Sequence, residues 1–261
     1  MKAAHILGFG ALLIGLAPLG AVQANTLNID YYTIGEHDAD ANHLGTGVFN
    51  NEVQNSIGGN DLPVLNTGPF GCVSNCYTAN PPTDVTATGE ITYWSPTLNK
   101  GGAGGVSDVT LTSTSSVTLP FNVPLNFFPP NGTGGSDNNG FQAAKLFGTL
   151  DAPSNELISF SIGADDMAFA YLDGQVVCDL GGVHADTAGT CTTALPIPAG
   201  DHNLEVFFVD INTVQSGLSF DVTTEGVTTN PNPVPEPPPL ALMGAALIAL
   251  GAVWRIRRKA A

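Results

Sequence analysis

The sequence predicts an all-β protein, a two-sheet β-sandwich with an apolar helical segment at each end of the chain. Three observations carry that expectation. Between residues 26 and 228 no helical periodicity runs for any length. Short stretches rich in Val, Ile, Thr and Phe alternate there with clusters of Gly, Pro, Asn and Asp. The 261 residues include 31 glycines and 19 prolines, yet 43% are hydrophobic, enough to build a core. Asp173-Gly174, set between two apolar runs, is the signature of a type I′ hairpin. Strands with an apolar face need a second sheet to cover it, so a sandwich is the simplest solution.

In chain order, the predicted strands are Leu27–Thr33, Glu90–Trp94, Val106–Ser115, Gly140–Asp151, Leu157–Ala164, Met167–Leu172, Gln175–Asp179, His202–Asp210 and Gly217–Thr224. Gly58–Pro82 and Thr97–Gly105 have little strand signal and are expected to be long loops. Asn122–Gly140, richer still in Pro, Asn and Gly, is a third. One domain over residues 25–226 follows, because neither side of the third loop is large enough to stand alone.

The two ends carry most of the positive charge. Of seven Lys and Arg residues, only Lys100 and Lys145 fall between Asp30 and Glu236, a stretch that contains all 23 acidic residues. A nucleic-acid binder needs a basic footprint, which this distribution excludes. Residues 1–24 combine Lys2, an apolar run from Ile6 to Leu16, and Val22-Gln23-Ala24 ahead of Asn25. That is the layout of a signal peptide cut by signal peptidase, with an apolar run too short for a membrane span. At the other end, a Pro-rich linker (227–239) contains Val234-Pro235-Glu236-Pro237. A charge-free apolar run from Leu240 to Trp254 follows, extended to residue 256 if Arg255 snorkels, and then a basic tail over 257–261. Arg255, Arg257 and Arg258 place this end in the cytoplasm by the positive-inside rule.

Pro235-Glu236-Pro237, the short apolar helix and the basic tail together closely resemble the PEP-CTERM sorting signal of Gram-negative bacteria that export matrix proteins. The resemblance covers residues 234–259. It implies an exosortase as processing partner, transient residence in the inner membrane, and release to the cell surface or extracellular matrix.

Cys72, Cys76, Cys178 and Cys191 lie in the exported part, where disulfides are favoured. Four cysteines allow three connectivities. Pairing Cys72 with Cys76 and Cys178 with Cys191 is preferred, because both pairs flank turn-rich segments. The twelve residues between Cys178 and Cys191 fit a zinc knuckle poorly.

The C-terminal half carries a second resemblance. Gly140 to Leu150 reads GFQAAKLFGTL, and Leu157 to Gly174 reads LISFSIGADDMAFAYLDG. DLGGVH over 179–184 and GDHNLEVFFVD over 200–210 follow. This pattern looks like the PA14 family, and its later portion like the fibro-slime branch. The match covers 140–225 well, while residues 26–139 fit only loosely, at Asp30-Tyr31-Tyr32 and Tyr93-Trp94. The resemblance implies a PA14-like β-sandwich in which Asp165 and Asp166, joined by a cis peptide, bind Ca2+, whose remaining positions take sugar hydroxyls. A late-strand ligand falls on Asp210, where the family often has Asn; either supplies oxygen. Oxygens at Asn212 and Val214 are the further donors implied for metal and ligand. Against sugar binding, no aromatic residue in 211–217 offers a stacking platform.

Other signals are weaker. Asp38-Ala39-Asp40-Ala41-Asn42 has the 1, 3, 5 spacing of an EF-hand loop, but position 6 is His43 and position 12 is Phe49. A solvated loop is the expectation there, with transition-metal binding by His37 and His43 a lesser alternative. His184 is expected to hydrogen-bond within a loop. HExxH, GxSxG, the P-loop and GxGxxG are absent from the sequence, so no catalytic residue is assigned. The expected function is a non-enzymatic, exported cell-surface or biofilm-matrix protein that binds an exopolysaccharide or other glycan in a Ca2+-dependent way. The alternatives are a purely structural matrix protein and, less favoured, a polysaccharide hydrolase.

Overall fold

A computed structural model describes residues 25–41, 47–66, 82–123, 127, 140–212 and 215–231. The signal segment, Cys72, Cys76, Val214, the Pro-Glu-Pro motif, the apolar segment 240–256 and the basic tail lie outside these residues. Among the described residues there are eleven strands and no helix. They are β1 (Thr26–Ile34), β2 (Thr110–Thr118), β3 (Phe121–Val123), β4 (Phe141–Ala152), β5 (Ser159–Asp165) and β6 (Met167–Leu172). β7 (Gln175–Leu180), β8 (Thr187–Thr192), β9 (Gly200–Asp210), β10 (Gly217–Val222) and β11 (Thr228–Asn230) follow.

The strands form two sheets, and every pairing between them is antiparallel. The larger has the order β2-β1-β4-β9-β6-β7, with β11 also paired to β4; the smaller has the order β3-β10-β5-β8. The expected all-β sandwich is therefore present. β6 and β7 join through Asp173 and Gly174, both at positive φ (50° and 72°), as a type I′ turn demands.

Two apolar layers hold the fold. Between the sheets lie Ile29, Leu146, Phe160, Phe208 and Phe220, with Phe160 and Phe220 stacked at 5.9 Å. The larger sheet is buried on its outer face as well, by Phe141, Phe169, Tyr171 and Phe207. Neighbouring residues such as Phe207 and Phe208 thus point into different cores, as the two-residue strand period dictates. This is why β6 is buried at every position.

The outer cover is irregular and comes from the described residues 35–41, 47–66 and 82–109. It contributes Val53, Leu62, Leu65, Ile91, Tyr93 and Trp94 to the second core. The Trp94 indole meets Phe207 edge-on at 5.1 Å, and its Nε1 donates to the Phe208 carbonyl at 2.8 Å. Bridges from Phe49 to Gly181 and from Ser56 to Gln175 run alongside β7, which covers an edge that would otherwise invite pairing.

Several sequence expectations are corrected. Glu90–Trp94 makes only isolated bridges at Glu90 and Ile91, because these residues serve the cover and not a ladder. The strand expected over Val106–Ser115 begins at Thr110 and runs to Thr118. The sandwich continues past residue 226: Val227 enters the inner core and β11 pairs with β4. Within the loop expected at 122–140, Phe127 is buried against Phe208 at 5.3 Å, and its backbone N–H donates to Ser216 O at 2.7 Å.

Cys178 on β7 is bonded to Cys191 on β8, with a Cα–Cα distance of 5.6 Å, the pairing preferred from sequence. Since β7 ends the larger sheet and β8 the smaller, the bond joins the two sheets along one edge. Closing a loop of this size restricts the unfolded chain by about 3 kcal/mol. Replacing both cysteines by Ala should lower unfolding free energy by about 2–4 kcal/mol in denaturant titrations, with the strand content by circular dichroism unchanged.

Candidate metal and ligand site

The chain passes between sheets twice in the same neighbourhood. Asp165 ends β5 in the smaller sheet, and Met167 starts β6 in the larger, so Asp166 occupies the crossing. The Asp165–Asp166 peptide bond is cis. Asp210 ends β9 in the larger sheet, and residues 211–216 return to β10 in the smaller. Register ties the two crossings together, since Asp165 lies opposite Gly217 and Met167 opposite Val209.

All three carboxylates are buried: Asp165 is 2% exposed, Asp166 1% and Asp210 0%. Asp166 accepts backbone N–H groups with both oxygens, from His184 at 3.0 Å and from Ile211 at 2.9 Å. Its side chain lies within hydrogen-bond reach of Asp210, whose Oδ1 accepts the Asn212 N–H at 3.1 Å. Burial, opposed by the Ile211 N–H and reinforced by the Asp165 charge, pushes Asp166 up to about 7. Asn212 thus enters the site through its backbone N–H, while Val214 lies outside the described residues.

Two neighbouring carboxylates were not among the expected site residues: Glu52, and Asp179 of the DLGGVH stretch. Glu52, fully buried, reaches from the cover segment and accepts the Gly182 N–H at 2.5 Å. A side chain at Gly181 would run into the Glu52 carboxyl, so that position must stay small. Burial, followed by the charges of Asp179 and, more weakly, Asp166, pushes Glu52 up to about 8. Asp179 accepts the Val53 N–H at 3.0 Å and is pushed up to about 6 by burial. His184 donates from Nδ1 to Ala185 O at 3.0 Å, and burial lowers its pKa. That is the loop role expected of it.

The donor set suits a hard cation. Its side-chain groups are carboxylates, and the described ion pairs, Lys145–Glu205, His202–Asp173 and His37–Glu36, bring no basic group to it. Lys145 is committed to Glu205 at 2.7 Å. Among the described residues, no group of three or more acidic, His or Cys side chains is placed to hold a metal ion. The carboxylates are drawn together instead, an arrangement that needs either protons or a cation to offset its repulsion. A polar groove of about 420 Å³ lies elsewhere, over Asp30, Trp94, Lys145 and Glu205, and includes none of the three aspartates.

Among solved structures, the chain is similar to the PA14 sugar-binding domain from an RTX adhesin, at 12% identity and a TM-score of 0.35. That likeness covers 80% of this chain and 96% of the other. It is also similar to the PA14 domain of MpAFP antifreeze protein, at 14% identity and a TM-score of 0.29, over 37% of this chain and 56% of that chain. A family 35 carbohydrate binding module from an environmental isolate is similar at 15% identity and a TM-score of 0.28, over 42% of this chain and 94% of the module. The chain thus spans little more than half the length of the antifreeze structure that it matches. No protein-family model and no curated protein matches the chain. At such low identity and TM-score these likenesses are distant, and the chemistry rests on this chain's own residues.

Glu52 and Asp179 set a pH dependence. Each holds its proton to a higher pH when folded than when unfolded, so between the two values the folded state binds more protons. Stability is then full near pH 4 and falls as pH rises through about 6 for Asp179 and about 8 for Glu52. In chelator, the melting temperature should decline from about pH 5 to about pH 8.5, and Glu52→Gln should flatten the upper part of that decline. An unchanged slope in the variant would show that Glu52 is ionised in the folded protein at neutral pH.

Proposed function

We propose that the protein is exported to the cell surface or extracellular matrix of a Gram-negative bacterium, where it acts without catalysis as a Ca2+-dependent carbohydrate-binding module. Asp165, Asp166 and Asp210 would hold the ion, with oxygen from Asn212 and Val214. Bound Ca2+ would supply coordination positions for vicinal sugar hydroxyls. The observation that carries this reading is the meeting of three buried carboxylates at two adjacent sheet crossings, with Asp166 within hydrogen-bond reach of Asp210 and close enough to Asp165 to feel its charge. Six to eight oxygens satisfy Ca2+, and carboxylates buried where the chain crosses between the two sheets provide several in advance.

Export is supported by the sequence at both ends and by the Cys178–Cys191 bond, which suits an oxidising compartment. Signal peptidase would remove residues 1–24, and an exosortase would recognise Pro235-Glu236-Pro237 with the segment and basic tail that follow. The acidic surface would keep the released protein soluble and self-repelling.

Calcium titration of the purified protein tests the metal. A ligand that binds only the folded state adds about 2.7 kcal/mol at a hundredfold excess over its Kd. The melting temperature should therefore rise with Ca2+, and Asp165→Asn or Asp166→Asn should abolish the part of that rise due to this site. Glycan binding on an array should be lost in EDTA and in the same variants. Binding that survives both would remove Ca2+ from recognition, and a calcium effect without glycan binding would favour a structural role.

A further inference from the structure

A strap over residues 193–199 joins β8, at the edge of the smaller sheet, to β9, inside the larger one. Most of the strap is exposed, including Leu195 at 75%. It is fastened to the stretch ahead of β5. The Thr193 N–H donates to Ile158 O at 2.9 Å, and Ile197 exchanges two backbone bonds with Glu156, at 2.9 and 3.1 Å. An apolar cleft of about 470 Å³ lies between the strap and the β6–β7 hairpin. Leu172, Val176 and Val177 line it on the hairpin side, and Leu195, Ile197 and Pro198 on the strap side.

His202, on β9 and 8% exposed, links the two sides. Its Nδ1 lies 2.6 Å from Asp173 Oδ2 in the hairpin turn, and its Nε2 lies 2.9 Å from Pro198 O in the strap. A backbone carbonyl has no proton to give. The other Asp173 oxygen accepts the Asn203 N–H at 2.8 Å, as an ionised carboxylate does. Both ring nitrogens therefore meet acceptors, and only the imidazolium carries a proton on each. The surroundings favour that charge. Asp201 adds a second negative group beside the ring, and Asp151 lies opposite Asp201 on β4, where the residue opposite His202 is the apolar Leu150. Glu156, on the stretch paired with the strap, accepts the Ser154 hydroxyl at 2.9 Å. Burial alone would lower the pKa of the ring, but the Asp173 carboxylate, the Pro198 carbonyl and the Asp201 charge outweigh it and hold the ring above the ordinary histidine range.

We propose that His202 is a pH-sensitive latch that fastens the 193–199 strap to the β6–β7 hairpin. A deprotonated imidazole keeps one N–H and turns a lone pair outward at the other nitrogen. One of the two contacts then sets that lone pair against an oxygen and is lost. With the N–H on Asp173, the strap is released at Pro198; with the N–H on Pro198, the hairpin is released. In both cases the cleft loses the tie between its walls. The latch is fully closed below the ordinary histidine pKa of about 6.5 and opens as pH rises through the higher folded value. Asp173 offers a clean way to remove it. Its φ of 50° suits Asn equally well, so Asp173→Asn takes away the charge and leaves an Asn-Gly pair, which favours the same turn.

Ring-nitrogen NMR and amide hydrogen exchange on the full chain test the latch, with the His202 signals assigned by their loss in His202→Gln. In the wild type, His202 should carry protons on both ring nitrogens at about pH 6 and titrate above about 6.5. The Ile197 amide reports on the strap, and its protection factor is corrected for the intrinsic pH dependence of exchange. That factor should fall about tenfold across the His202 titration, relative to amides of the β4–β9 ladder. In Asp173→Asn, the titration and the fall should move to lower pH together. In His202→Gln, the fall should be absent. If one variant fails to fold, the other and the wild type still decide the matter. A bare ring nitrogen at about pH 6, or Ile197 protection that does not follow the ring or falls equally in His202→Gln, overturns the latch.

Discussion

The larger sheet is apolar on both faces, and most of the architecture follows from the need to hide them. The inner face meets the smaller sheet through Phe160, Phe208 and Phe220. Among the described residues no third sheet lies on the outer face, and an irregular segment covers it, with Tyr93 and Trp94 as its main anchors. A segment without a continuous ladder must satisfy its buried polar groups through side chains. Glu90 does this directly, accepting the N–H and the amide of Asn60 at 2.8 and 2.7 Å. The acids of this protein are therefore structural material as much as surface charge.

The same constraint concentrates carboxylates at particular points. Where β5 gives way to β6 and β9 to β10, the chain leaves one sheet for the other and exposes backbone N–H groups to the interior. Asp166 takes up two of them, from His184 and Ile211. Glu52 and Asp179 perform the same service between the cover and β7. With so few basic side chains available, these charges are offset by protons, by hydrogen bonds or by a cation.

What the sequence disclosed follows the strength of each local signal. Long runs with strong apolar content, such as those of β1, β4, β6 and β9, were legible, as was the Asp173-Gly174 turn. β8, Thr187–Thr192, consists of Thr, Ala, Gly and one Cys. It is a strand only because β5 and the Cys178 bond hold it there, so its own residues could not reveal it. β3 and β11, at three residues each, are shorter than any period can register. Asp165, Asp166 and Asp210 were legible as candidates through a resemblance, and the structure places them at adjacent crossings. Glu52 was not legible, because its neighbourhood depends on contacts about 130 residues away along the chain. Asp38 and Asp40, expected in a solvated loop, are 6% and 0% exposed, because Thr83 and Asp84, more than 40 residues along the chain, hydrogen-bond to Asp40, which local spacing does not encode.

If the carboxylates at the two sheet crossings are drawn together to receive a hard cation, that ion can be located directly. Lanthanide ions replace Ca2+ in oxygen sites and scatter anomalously, so a crystal grown with Tb3+ locates any such ion directly. The expected result is an anomalous peak bounded by the side chains of Asp165, Asp166 and Asp210. A well-ordered crystal with these side chains clear in density, hydrogen-bonded to one another and without a peak between them, would contradict it.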